Sequence, residues 1–300
     1  MSNPDPIRQE SMLHEGELQL RIGNEIRNIG IPPRPVILTR IHNEMLKEEP
    51  DFRLLADIIG SDVGLAASII KVSNSPYFGF GKKVRSVPEA LLVLGLKVTV
   101  HTIAGFELKK AFGHVPNLER FWDSAARSAH LCAWLTHNLQ DRIGIRPDDA
   151  YTLGLFRDCG IPVLMIPFPE YAGILKRANQ EAVRLFTAVE DELLSVNHVL
   201  IGSELAEDWL LPEDICQAIR HHHEVAALEG TLEQPLLPGA AEMIAVAQVV
   251  EYLIQLHNND WNQTQEWHKL GPASLRLLGI DADELKRLEA AAAAVSVSSF

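Results

Sequence analysis

Apolar residues recur at three- and four-residue spacing along almost the whole 300-residue chain. No run of alternating apolar and polar positions stands out, so the pattern predicts helices and gives no indication of strands. The segment 54–72, LLADIIGSDVGLAASIIKV, is typical: an apolar stripe ends at Gly60, and Ser61 or Asp62 can cap a second helix. The sequence therefore predicts an all-α fold.

Proline and glycine residues divide this helical pattern into parts. The segment IPPRP at 31–35 marks the entry to the compact part of the chain. We divide the sequence into three parts. A lead-in at 1–30 contains one amphipathic helix near 17–29, and a domain at 31–258 consists of a first helical subdomain (31–115) and a second (116–258). A C-terminal helical segment with a frayed tail follows at 259–300.

Composition narrows the classes of function. An apolar content of 47% can bury a large core, whereas a net charge of -13 argues against nucleic-acid and anionic-membrane partners, because phosphates are bound by basic patches. The apolar stretch 243–256 is interrupted by Gln248 and Glu251 and is too short to span a bilayer. No signal peptide is evident, and three widely spaced cysteines are expected to be buried, reduced thiols. We expect a cytoplasmic protein.

Histidines supply the candidate chemistry. Three adjoin one another in AIRHHHEV, and consecutive helical residues point about 100° apart, so at most two of them can face one pocket. Asp158 follows an apolar helix that Gly160 is expected to end, and His198 begins another helix. Four candidate ligands, Asp158, His198, His222 and His223, thus come from three predicted helices. Metal sites in helix bundles are built from side chains on facing helices in this way. Imidazole with carboxylate suits iron, zinc or manganese.

The alternative is that the His-rich helix is solvated and binds nothing. Isolated histidines elsewhere are interpreted as surface or core residues: His42, His101, His114, His130, His137, His257 and His268.

The order of sequence features resembles the HDOD family (HD-related output domain), a degenerate branch of the HD metal-dependent phosphohydrolases found in bacterial signalling proteins. The resemblance covers roughly 31–255. It rests on the segments IPPRPVILTRI, LADIIGSDVGLAASIIKVSNSPYFG, SVPEALLVLGLKVTV, ERFWDSAARSA, TLGLFRDCG, VNHVLIGSELAEDWLLPEDICQAIRHHHE and AVAQVV. It implies two packed helical subdomains, the second of which is similar to an HD domain.

The resemblance also allows the metal site to be compared residue by residue. The active superfamily has a metal-binding histidine at the position of Ser124 and the histidine of the His-Asp pair at the position of Arg157. At the position of Gln248 it has an aspartate. Four positions keep residues that resemble the other ligands: Asp158, His198, His222 and His223, the last two matching the His-His pair of the phosphodiesterase branch. Three ligand positions are therefore lost.

The loss at Arg157 has a chemical consequence. Phosphoester hydrolysis in such a site needs one or two metal ions to convert bound water into hydroxide. A guanidinium group has no lone pair for a metal ion, and its permanent positive charge repels a dication. Arg157 can instead form a charge-assisted pair with Asp158. There are two alternatives to this ion pair. The histidines could retain a single metal ion, or Arg157 and the histidines could bind the phosphate of an anionic nucleotide.

The predicted function is that of a non-catalytic signal-transduction output or scaffold module. The resemblance implies protein partners of the receiver, sensor or cyclase type, and no cofactor is expected beyond at most a single iron, manganese or zinc ion.

The rival prediction is a metal-dependent phosphohydrolase, either a phosphodiesterase or a phosphatase, that uses Asp158, His198, His222 and His223. A cyclic dinucleotide is one candidate substrate. Such an enzyme would need a substitute for the lost ligands. The nearest candidate, His130, is rotated by about 120° from Ser124 and lies roughly 9 Å further along a helix. A sensor that holds a metal or haem on the spare histidines is a third alternative.

Overall fold

The computed structural model of the chain describes residues 30–75, 78, 83–113, 115–116, 118–258 and 265–298. The helix predicted near 17–29 lies outside the described residues. Every regular element in the described ranges is a helix and none is a strand, which confirms the predicted all-α fold.

The helices form a first group at 36–111, a larger second group at 119–258 and a C-terminal segment at 266–298. We number them α1 (Val36–Met45), α2 (Phe52–Gly60), α3 (Val63–Ser73), α4 (Val87–Ala111), α5 (Glu119–Asn138), α6 (Pro147–Phe156), α7 (Gly160–Met165), α8 (Tyr171–Gln180), α9 (Phe186–Leu194), α10 (His198–Asp208), α11 (Glu213–His221), α12 (Val225–Glu229), α13 (Ala240–Asn258), α14 (Glu266–Leu278) and α15 (Ala282–Ser298).

The helix pair α2–α3 shows how local sequence sets the boundaries. α2 ends at Gly60, and the carboxylate of Asp62 accepts a hydrogen bond of 3.0 Å from the amide of Leu65. A cap of this type stabilises a helix by about 1 kcal/mol. The stop and the cap are those that the sequence predicts.

Helix α4 is the apolar centre of the first group. It packs against α1, α2 and α3, and it breaks at Gly95, whose φ of 71° and ψ of 169° are non-helical. By length and composition α4 is apolar enough to cross a membrane. More than half of its most apolar window is buried inside the protein, as in a core helix.

The second group packs around α13, which is buried along most of its length. Helices α5 and α6 lie in close contact because Gly154 has no side chain: a Cβ there would lie 2.8 Å from the Cα of Ala129. In the C-terminal segment, α14 packs on α12 and α13, while α15 packs on α5 and α13. All three cysteines are buried and free, as predicted.

One buried histidine joins the two groups. His101 of α4 and Thr152 of α6 approach each other at 2.7 Å, from Nδ1 to Oγ1. Because the Thr152 hydroxyl donates its hydrogen to the carbonyl of Asp148, it must accept from His101, which fixes the proton on Nδ1. Burial lowers the pKa of His101 to about 4, and the positive charge of Lys97 acts in the same direction.

The low pKa of His101 predicts a pH-dependent stability. The unfolded chain takes up a proton on this residue near pH 6.5, whereas the folded chain does not until about pH 4. The free energy of unfolding should therefore fall as the pH falls through this window, by roughly 3 kcal/mol at most for this group. Urea unfolding at several pH values measures the slope.

The variant His101→Asn keeps a hydrogen-bond donor near the Nδ1 position. It should reduce the slope of the unfolding free energy against pH by an amount that corresponds to at most one proton taken up on unfolding. The exposed control His137→Gln should leave it unchanged. An unaltered slope in His101→Asn would contradict the assignment.

Candidate functional site

Three buried imidazoles meet at the centre of the second group. His198 is the first residue of α10, and His222 and His223 directly follow α11. The Nε2 atom of His198 lies 3.5 Å from Nε2 of His222 and 3.3 Å from Nε2 of His223. We call these three residues the histidine cluster. His221, the third member of the run, lies outside it and pairs with Glu224 at 2.9 Å.

Asp158 lies beside this cluster. Its Oδ1 atom is 3.7 Å from Nε2 of His198 and 3.5 Å from Nε2 of His222. The structure thus brings together the four residues that the sequence singles out as remaining ligand types.

A close backbone contact sets this geometry. A Cβ on Gly160 would collide with the carbonyl oxygen of His198, and it would lie 2.8 Å from the amide of Gly202. The glycine therefore allows the start of α7 to touch the first turn of α10. The expectation that Gly160 ends a helix is wrong: α6 ends at Phe156 and Gly160 begins α7, because tertiary contact requires the glycine there.

Hydrogen bonds orient two of the three rings. His198 donates from Nδ1 to Glu190, with the shorter distance 2.8 Å, and Tyr171 donates its hydroxyl to the same carboxylate. His222 donates from Nδ1 to the carbonyl of Ile219 at 2.8 Å. Since a carboxylate and a carbonyl only accept, both rings carry their hydrogen on Nδ1. Their Nε2 atoms point into the cluster, where each can receive a proton or a metal ion.

His223 is held differently. Its ring stacks on Phe186, with centroids 4.5 Å apart and planes 7° apart. Its Nδ1 atom lies 3.4 Å from a carboxylate oxygen of Glu266 on α14, and Glu266 pairs with Lys269 at 2.6 Å. The C-terminal segment therefore contacts the cluster directly.

Burial and mutual charge set the protonation of the cluster. Burial lowers the pKa of His222 to about 3 and that of His223 well below its usual range, and in each case a neighbouring histidine adds to the effect. Burial also opposes protonation of His198, but the Glu190 carboxylate outweighs it and raises the pKa. Within the cluster, protonation is therefore easier on His198 than on His222 or His223.

Arg157 is buried beside the cluster, between two carboxylates. Its Nη2 and Nε atoms donate to Oδ2 of Asp158 at 2.8 and 3.2 Å, and its Nη1 lies 2.7 Å from Oε2 of Glu251. Burial disfavours the charge on Arg157, but the two carboxylates outweigh it and raise its pKa. Burial likewise opposes the charge on Asp158, and Arg157 outweighs it and holds the pKa well below the usual range.

The family resemblance implies a lost ligand at two further positions, Ser124 and Gln248. The side chains of these residues do not join the histidine cluster. Ser124 is exposed and lines a cavity of about 490 Å³ together with Arg157 and Glu251. Gln248 is buried and donates from Nε2 to the carbonyl of His222 at 3.0 Å, so it holds the backbone of a cluster residue. His130 bonds the carbonyl of Ala126 at 2.7 Å and lines a different cavity.

Sequence reasoning missed four residues of this network: Tyr171, Glu190, Glu251 and Glu266. Glu251 alone had a usable indication, because it is an isolated acid in an apolar stretch, one helical turn after Gln248. The others become neighbours of the cluster only through tertiary packing.

The donor set fits a single metal ion. In the histidine cluster, each of the three imidazoles offers one nitrogen atom, and these three nitrogen atoms lie within 4.8 Å of one another. Imidazole nitrogens suit zinc, iron or manganese, and the Glu190 contact to His198 is the kind of second interaction that orients a metal-binding histidine. Asp158 is the neighbouring carboxylate, but Arg157 occupies its Oδ2 atom.

Comparison with known proteins adds the family. A model of the HDOD domain matches residues 31–225. An uncharacterized protein of Treponema pallidum (strain Nichols) is 28% identical over 200 residues, which are 65% of this chain. The match spans only 38% of that relative's length.

Solved structures share the fold. A "Putative phosphohydrolase" from Shewanella amazonensis SB2B matches with a TM-score of 0.63 and 19% identity over 91% of this chain and 94% of that one. A "Putative signal transduction protein" from Marinobacter aquaeolei VT8 matches with a TM-score of 0.58 and 21% identity over 90% of this chain and 60% of that one. At these identities the likeness establishes the fold alone. Since the HDOD model matches well over half of the residues, the chain belongs to the HDOD family.

Proposed function

We propose that this chain is a non-catalytic signal-transduction module in which a buried ion-pair network has replaced a hydrolytic metal centre. The observation that carries the proposal is the position of Arg157, whose guanidinium lies between Asp158 and Glu251 inside the pocket. Membership of the HDOD family, and the likeness in fold to the "Putative signal transduction protein" of Marinobacter aquaeolei VT8, support a role in signalling.

Electrostatics explain why this arrangement disfavours hydrolysis. A two-metal mechanism needs carboxylate and imidazole lone pairs to hold dications about 4 Å apart. Arg157 takes one oxygen of Asp158 and keeps its own charge at any accessible pH. Two like unit charges 4 Å apart repel by about 4 kcal/mol at an effective dielectric constant of 20, and a dication doubles that figure. Because the side chains of Ser124 and Gln248 do not reach the cluster, a second metal ion has no adequate ligand set among the described residues.

Function then lies in contacts with other proteins. We propose partners of the receiver, sensor or cyclase type, because the family's members are signalling modules. The rigid, internally paired pocket would keep the second helical group in one conformation that a partner can recognise.

A second candidate function is the binding of a single metal ion by the histidine cluster. The specific observation in its favour is that His198 and His222 both direct Nε2 lone pairs inward, with their Nδ1 hydrogens fixed by Glu190 and Ile219. Such a site would hold zinc, iron or manganese on three imidazoles, with no hydrolysis required.

The ion pair yields a stability prediction. Removing Arg157 leaves two carboxylates facing each other, and breaking a buried pair of this type costs several kcal/mol. Because Asp158 and Glu251 are each about one quarter exposed, we expect Arg157→Met to lower the free energy of unfolding by about 2–3 kcal/mol. Denaturant unfolding of Arg157→Met, Glu251→Gln and the double variant should show a coupling of about 1 kcal/mol.

The matched control is Arg177→Met, whose arginine is exposed and lies 4.0 Å from Glu192. It should change stability by less than about 0.5 kcal/mol. Equal effects of Arg157→Met and Arg177→Met would show that Arg157 is not held as described.

The absence of catalysis is tested with untagged protein. In added manganese or iron, we expect no turnover of cyclic dinucleotides or generic phosphoesters, and at most one metal ion per chain by elemental analysis. Any bound metal should be lost in His198→Ala and retained in His221→Ala, whose residue lies outside the cluster. The triple variant Ser124→His, Arg157→His, Gln248→Asp should bind more metal than the natural chain.

Two bound metal ions per chain, with turnover abolished by Asp158→Ala, would overturn the non-catalytic proposal in favour of a phosphodiesterase.

A further inference from the structure

A second cavity lies between the two helical groups, away from the histidine cluster. It is bounded by α3 and α4 on one side and by α5 and α6 on the other, and its volume is about 620 Å³. Sites for small molecules commonly have volumes of about 300–1,000 Å³ and often lie between domains. We call this cavity the interdomain cleft. Its lining shares no residue with the cavity that contains Arg157.

The charge of the cleft is opposite to that of the protein. The chain carries a net charge of -13, yet the described lining of the cleft has four basic residues and one acid, Asp123. The basic residues are Lys71, Lys83, Lys109 and Arg127. The three lysines are exposed, and none forms an ion pair with a carboxylate of the described residues. Four cations gathered at one opening favour an anionic ligand.

Aromatic side chains line the same cleft. Trp122 is 8% exposed and Tyr151 is 3% exposed, and the ring of Tyr151 lies 5.4 Å from that of His130 in an edge-to-face contact. Phe106 is partly buried and also lines the cavity. The exposed parts of these rings, chiefly that of Phe106, offer apolar surface on which a planar ring such as a nucleobase can pack.

Two hydrogen-bonding groups in the cleft have no hydrogen-bond partner among the residues that the structure describes. The Oγ atom of Ser75 is buried without a hydrogen bond to any described residue. No described residue hydrogen-bonds the hydroxyl of Tyr151, and burial raises the pKa of that hydroxyl, so it stays protonated. A buried polar atom without a partner, as the Oγ of Ser75 is among the described residues, is uncommon in native proteins and points to a ligand or a water molecule.

We propose that the interdomain cleft binds a nucleoside phosphate. The planar base would pack against the aromatic residues, and the phosphate would be held by Lys71, Lys83 and Lys109 at the opening. Arg157 is a poorer receptor for such an anion, because Asp158 and Glu251 already neutralise it. The cleft, rather than Arg157 with the histidines, would then hold the anionic nucleotide that the sequence leaves as an alternative. The inference does not depend on whether the histidine cluster binds metal.

Calorimetric titration of the full chain tests the proposal. The probes are AMP, ADP, GMP and GDP, with adenosine, guanosine and pyrophosphate as partial ligands. We expect at least one nucleotide to bind, and each partial ligand to bind at least tenfold more weakly than that nucleotide. No binding of any of the four nucleotides would overturn the proposal, and pyrophosphate binding of equal strength would reduce the cleft to a simple anion site and contradict the role of the base.

Variants locate the site. The double variant Lys71→Gln, Lys109→Gln should weaken nucleotide binding at least tenfold, and Tyr151→Phe, which removes only the hydroxyl, should weaken it several-fold. The matched control is Lys176→Gln, an exposed lysine that lines the cavity containing Arg157. It should leave the affinity unchanged. Weakening by Lys176→Gln but not by the double variant would place the ligand in the other cavity and overturn the assignment.

Discussion

A buried guanidinium needs compensation, and the second helical group of this protein is arranged around that requirement. Arg157 lies between Asp158, its neighbour in sequence, and Glu251, which is 94 positions later on α13. The charge of an arginine cannot be removed by deprotonation, so the two carboxylates must stay close to it to compensate that charge. This constraint ties the junction between α6 and α7 to α13, which is buried along most of its length.

The same helix also holds the histidine cluster. Gln248 lies one turn before Glu251 and bonds the carbonyl of His222. One turn of α13 thus carries the ion pair of Glu251 with Arg157, and the preceding turn carries the amide hydrogen bond of Gln248. Glu190 on α9 and Glu266 on α14 extend the network to two further helices. The pocket is therefore polar and its side chains are connected to one another.

Much of the fold was predictable because its determinants are local. Helical periodicity, the stop at Gly60 and the cap at Asp62 depend on residues within a few positions of one another. The pairing of Arg157 with Asp158 was predictable for the same reason, since the two are adjacent. Glu251 and Glu190 were not, because only tertiary packing brings them to the site, and Gly160 was misassigned because its role is to admit the backbone of α10. The interdomain cleft escaped sequence analysis because its lysines are scattered from 71 to 109 in a strongly acidic chain.

The position of Arg157 relative to metal ions can be observed directly. Crystals grown in manganese, with anomalous diffraction data collected near the manganese absorption edge, would locate every bound ion and the guanidinium in one map. We expect Arg157 to lie between Asp158 and Glu251, with at most one anomalous peak, on the histidine cluster. Two peaks about 4 Å apart, bridged by Asp158 with Arg157 displaced toward solvent, would contradict the replacement of the metal centre by an ion pair.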